Sequence, residues 1–163
     1  MKRIMDEQEV SKFIFNRNID NDIIKGSMID MAQESILYTY LGDFYTKMVE
    51  NYDDYVEYID IYLKPIVAWQ VLYSNFDYIS YSITDKGMIA MLAENLGSLL
   101  GREQKVDSKM EIKRNIYTLV KQVLRIFDYE KKSKNPLFLD FEMKELPSII
   151  KYKAGEKKIK TPY

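Results

Sequence analysis

A chain of 163 residues can build one domain that buries roughly 70% of its unfolded surface, and is too short for two full-sized ones. With 25 Asp and Glu against 24 Lys and Arg, its formal charge of −1 excludes a chain that is basic throughout. Having no cysteine and no histidine excludes disulfides, thiolate nucleophiles, imidazole bases and the usual ligand sets of zinc, copper and di-iron centres.

In chain order, residues 6–15 read as a short helix with Val10, Phe13 and Ile14 on one side, followed by a polar break at Asn16, Arg17 and Asn18. Asp20 or Asn21 is placed to cap a helix whose Ile24, Met28, Met31, Ser35 and Ile36 follow the 3.6-residue period, ending near Tyr38. Leu41-Gly42-Asp43 breaks that pattern, and Asp43 starts a second helix carrying Phe44, Met48 and Val49 to about Asn51. Asp53 and Asp54 open the longest periodic stretch, with Val56, Ile59, Leu63, Ile66, Val67, Gln70 and Tyr73 at three and four spacing. Pro65 lies inside it and predicts a kink or a helix junction at Lys64-Pro65, because proline removes a helical donor and crowds the carbonyl four residues back.

From Tyr78 the period changes to two. Ile79, Tyr81 and Ile83 alternate with Ser80, Ser82 and Thr84, and Asp85-Lys86-Gly87 supplies a turn, so residues 78–92 read as a β-hairpin whose second arm starts at Met88. Gly97 and Gly101 punctuate a connecting loop. Ser108-Lys109-Met110-Glu111 fits a capping box, starting a helix with Ile112, Ile116, Leu119, Val123 and Ile126 or Phe127 on one face and Arg114, Lys121, Arg125 and Lys131 elsewhere. Asn135-Pro136 ends it, Leu137 to Met143 reads as a short strand, and the chain from Pro147 is an extended basic arm. The expected fold is therefore mainly α: a helical bundle over residues 1–143 with a β-hairpin near 78–92 and an extended C-terminal arm over 144–163.

No apolar run approaches the ~20 residues of a membrane span, and Met1 to Val10 is too acidic for a signal peptide, which points to a reducing cytoplasm and no membrane. The charge is distributed in blocks. Residues 20–63 hold ten acids against two lysines, residues 102–134 ten bases against five acids, and residues 144–163 six lysines against two glutamates. Such blocks suit complementary surfaces within one fold or between copies of it, or else the plain solvated faces of helices.

The carboxylate pairs Asp20 with Asp22 and Asp53 with Glu57 suggest a hard cation or an acid–base couple. A calcium loop, however, would need an oxygen ligand where Ile24 stands, and acids at helix starts also favour the helix dipole. Gly97-Ser98-Leu99-Leu100-Gly101-Arg102 lacks the lysine and hydroxyl of a phosphate-cradling loop and reads as a connection. Trp69 and most of the aromatic residues fall on apolar stripes, where core packing is the expected role; 14 tyrosines exceed one core's needs, so some belong at interfaces. Lys151, Lys153, Lys157, Lys158 and Lys160 with Tyr152 and Tyr163 suit an acidic partner surface better than nucleic acid.

Several signals stand in a telling order: Asn18-Ile19-Asp20-Asn21-Asp22-Ile23-Ile24, Ala32-Gln33-Glu34-Ser35-Ile36, Leu41-Gly42, Lys64-Pro65-Ile66-Val67-Ala68-Trp69 and Ile83-Thr84-Asp85-Lys86-Gly87-Met88. Over about residues 10–134 this order resembles the small helical head-to-tail connector, or adaptor, proteins of tailed bacteriophages, the crAss-like type especially. The resemblance implies a virion neck protein, assembled in the host cytoplasm, that forms a ring of itself, twelvefold in the family. It also implies contacts with the portal protein and with tail or further neck proteins, and a channel for genomic DNA passing without sequence recognition.

Ile83, Asp85, Lys86 and Met88 of the hairpin and Lys151, Tyr152, Lys153, Lys157, Lys158 and Tyr163 of the arm are then the candidate partner-binding residues. No catalytic residue, metal or cofactor is expected. The rival reading is a non-enzymatic helical regulator that binds nucleic acid through the basic helix of residues 106–134 and the arm. A carboxylate-held Mg²⁺ enzyme is a third, resting on the acidic pairs alone.

Overall fold

The run Lys-Pro-Ile-Val-Ala-Trp-Gln-Val-Leu-Tyr-Ser is apolar on nearly every side, and a helix without a polar face belongs in the middle of a fold. In the computed structural model, which describes residues 2–15, 23–79 and 102–144, that run is the central helix. In chain order the helices are α1 (Glu7–Phe15), α2 (Gly26–Ala32), α3 (Asp43–Glu50), α4 (Tyr52–Tyr58), α5 (Lys64–Ser74) and the long α6 (Arg102–Lys132). Helix α5 buries Ile66, Val67, Ala68, Val71 and Leu72, with α1, α2 and α6 packed around it.

Two of these helices run on through wider turns. A π-helical stretch, Gln33–Tyr38, joins α2 to a last turn at Thr39–Leu41, and a second, Ile59–Leu63, joins α4 to α5. In the first, two hydroxyls bond back to the helix: Ser35 donates to the Ala32 carbonyl at 3.1 Å and Thr39 to the Ser35 carbonyl at 2.8 Å. The second sits directly before Pro65. The Lys64 N–H reaches back five residues to Ile59, and this widening makes room for a proline ring that an α-turn would crowd. The expected junction at Lys64-Pro65 is thus a continuous helix with one wide turn.

Gly42 reverses the chain between Leu41 and α3. Its φ of 56° and ψ of −134° lie where a side chain is strained, which is why glycine stands there. Phe44, Met48 and Val49 of α3 are buried as their spacing predicts. The predicted stripe of α2 needs correction. Its helix begins at Gly26, the proposed caps Asp20 and Asn21 lie outside the described residues, and Met31 is 71% exposed while Ile29, Ala32, Gln33, Ile36 and Leu37 are buried. Val56 and Phe13 are likewise exposed, whereas Ile14 packs against the core.

Helix α6 is already running at Arg102, so Ser108-Lys109-Met110-Glu111 is helix interior and not a cap. Its face is the predicted one turned slightly: Ile112, Ile116, Val120, Val123, Leu124 and Phe127 are buried, with Leu119 and Ile126 at the edge. Lys134, at a φ of 62°, ends the helical path. The strand expected over Leu137 to Met143 is instead a 3₁₀ turn, Pro136–Phe138, followed by irregular chain. Phe138 and Phe141 explain why: both turn inward, which the alternation of a strand forbids at a spacing of three.

No strand occurs among the described residues. Of the hairpin proposed for 78–92, Tyr78 and Ile79 are helical, continuing past α5, and the remainder lies outside the described residues. The C-terminal arm beyond Lys144 lies outside them too. The fold is mainly α-helical, and no described helix is long and apolar enough to cross a membrane.

Candidate functional site

None of the hairpin or arm residues singled out from the sequence is among the described ones: Ile83, Asp85, Lys86 and Met88 fall in 80–101, and Lys151, Tyr152, Lys153, Lys157, Lys158 and Tyr163 in 145–163. The structure describes their points of departure. Tyr78 is exposed with the Lys25 ammonium 5.9 Å from its ring, and Lys144 reaches the Thr39 carbonyl at 3.3 Å, beside Gly42. The side chain of the last described residue therefore reaches the start of α3.

The polar chemistry of the described residues lies on outer faces. On α3 and α4, Asp43, Glu50, Asp53, Asp54 and Glu57 are exposed, and none makes an ion pair among the described residues. Asp53 and Glu57 are one helical turn apart on the solvent side, and no group of three or more acids able to hold a metal occurs among the described residues. The partner pair Asp20 and Asp22 lies outside them, as do residues 97–101 of the glycine-punctuated connection.

On α6, Arg114, Lys121 and Arg125 are exposed and likewise without an acid partner among the described residues. Steps of seven and four residues are about two turns and one turn, so the three cations share one line, about 10.5 Å and then 6 Å apart along the axis. Farther along this line Tyr129 stands 68% exposed, and Lys132 is tied to Asp128 at 2.6 Å.

One group of paired charges fastens the N-terminal segment. Arg3 grips Asp30 with two hydrogen bonds of 2.7 and 2.9 Å and touches Glu7, its guanidinium lying over Gly26, where any Cβ would collide with it. The hydrogen bond from Arg3 holds the Asp30 carboxyl below the ordinary range. Lys64, only 18% exposed, bridges Glu9 at 2.7 Å and Asp60 at 2.9 Å. Burial disfavours its charge, but the bonds to Glu9 and Asp60 outweigh that and raise its pKa.

Beneath these pairs, the buried Gln33 accepts from the Ile4 N–H at 2.9 Å. Neither Lys64 nor Gln33 is given a polar role inside the fold by the sequence pattern; a glutamine at a position where the period of Ile29, Ala32 and Ile36 demands an apolar residue is the signal that marks it.

A cavity of about 10 Å³ lined by Ile36, Leu37, Tyr40, Leu41, Leu63 and residues of α5 and α6 is apolar, and Trp69 packs at the edge of the core. Comparison with protein-family models, with curated proteins and with solved structures finds no match to this chain.

Proposed function

We propose that this protein is a non-enzymatic structural subunit that works by assembly, as a head-to-tail connector ring joining a phage portal to its tail. The observation that carries the reading is the set of five exposed acids on α3 and α4, Asp43, Glu50, Asp53, Asp54 and Glu57, left without cation partners among the described residues. The same sequence supplies a complement: an arm with Lys151, Lys153, Lys157 and Lys158, which follows Lys144, whose side chain reaches the start of α3.

A surface on one side of a subunit that fits a different segment of the next copy makes a head-to-tail contact, and such contacts close into rings when the rotation permits. On this reading the partners are further copies of the chain, a portal and a tail or neck protein, and the location is the virion neck.

Electron cryomicroscopy of particles from cells co-expressing this chain with the neighbouring portal gene product tests the proposal. A closed ring stacked on the portal is the expected result. Portal particles that never carry this chain, at any ratio, would sink it.

A further inference from the structure

We infer that the outward face of α6 from Arg114 to Tyr129 is a contact surface for the phosphate backbone of double-stranded nucleic acid. This inference goes beyond the ring reading and stands without it, because it concerns the isolated chain. Three cations in one line, Arg114, Lys121 and Arg125, have no acid partner among the described residues, and no acid interrupts their line between 114 and 125. Exposed Asn115 and Gln122 flank it with amide donors, and Tyr129 adds an exposed ring at its end.

The spacing suits a polymer of regularly repeated charge. Gaps of about 10.5 and 6 Å along a straight helix keep all three cations within reach of a duplex that carries one charge per ~3.4 Å of its axis on each strand. Two of the three cations are arginines, whose planar fork takes a phosphate through two parallel hydrogen bonds, and amide side chains are common phosphate donors. The contact is with the backbone, which positions the duplex and is read directly by the salt slope. An acidic protein face is the competing occupant, and the acids of a second copy have the lysine-rich arm as their own complement. The exposed acid Glu111 bounds the patch before Arg114, and the Asp128–Lys132 pair bounds it at the other end.

The test is fluorescence anisotropy of a labelled random-sequence DNA duplex with the full-length chain, titrated with salt. About 0.9 is lost from the log–log salt slope for each phosphate contact removed, so replacing Arg114, Lys121 and Arg125 together by Gln should flatten the slope by about 2.7. Lys121→Gln alone should flatten it by about 0.9, which keeps the test valid if the triple variant does not fold. Arg114→Lys with Arg125→Lys should retain the wild-type slope, since charge is kept. The inference is overturned if the wild-type chain does not bind duplex, if the Gln variants bind with an unchanged slope, or if polyglutamate binds the row more tightly than the duplex does.

Discussion

Two tyrosines show how one hydroxyl can act in opposite directions. Tyr55 and Tyr45 are both buried; the Tyr55 hydroxyl donates to the Leu137 carbonyl at 2.6 Å, whereas that of Tyr45 has no hydrogen-bond partner among the described residues. A buried polar group without a partner costs about 1–3 kcal/mol, and a made hydrogen bond contributes about 1 kcal/mol. Tyr45→Phe should therefore raise stability by about 1 kcal/mol and Tyr55→Phe lower it by a similar amount, both read by urea denaturation. Equal losses in the two variants would show that the Tyr45 hydroxyl is satisfied. Arg3 with Asp30, 27 residues apart, was not legible in the sequence, because a pairing between distant segments leaves no period to read. That Arg114, Lys121 and Arg125 face away from the apolar stripe was legible from the helical period, whereas Lys131, expected with them, is half-buried and donates to the Phe141 carbonyl.

At the scale of the element, the wide turn at Ile59–Leu63 and Pro65 form a unit. If the turn exists to hold the proline, deleting the exposed Ile61 forces an α-turn and restores the clash with the ring. The deletion should cost about 3 kcal/mol more with Pro65 present than in a Pro65→Ala background, the coupling being measured by a double-mutant cycle of thermal stability. Equal costs in the two backgrounds would separate the turn from the proline. The junction itself could be read from proline chemistry. The wide turn at Gln33–Tyr38 could not, and Met31 was placed on the buried side because the period was counted from Ile24, which precedes the helix. The strand expected at Leu137–Met143 failed on a different physics: two phenylalanines three residues apart are drawn into one aromatic cluster.

For the whole molecule, the titrating groups predict a wide plateau. No histidine is present, so no side chain has its ordinary pKa between about 5 and 8. Burial raises the pKa of Tyr40, Tyr45, Tyr52, Tyr55 and Tyr58, and the bonds from Glu9 and Asp60 raise that of Lys64 against the opposing effect of burial. A proton held more tightly in the folded state gives stability that is complete below the unfolded pKa of about 10 and lost as pH rises through it. Asp30 and Asp140 are lowered by hydrogen bonds from Arg3 and Lys47, so their contribution is present above about pH 4 and lost on acidification. The midpoint of thermal unfolding should be nearly flat from about pH 5.5 to 9 and fall on both sides; a step near neutrality would contradict this assignment of groups.

The aromatic cluster has a consequence for the order in which the molecule forms. Phe44, Tyr55 and Tyr58 from early in the chain meet Phe127, Phe138 and Phe141 from late in it, with Tyr58 and Phe138 ring centroids 4.6 Å apart, and the nearby Lys47–Asp140 bond joins residues 93 positions apart. A nascent chain emerging from the ribosome must hold its first helices with their phenylalanine and tyrosine side chains unsheltered until residue 141 is free of the exit tunnel. Synthesis thus acts as a timer, since the segment that closes the core, Pro136 to Phe141, emerges after every helix it packs against.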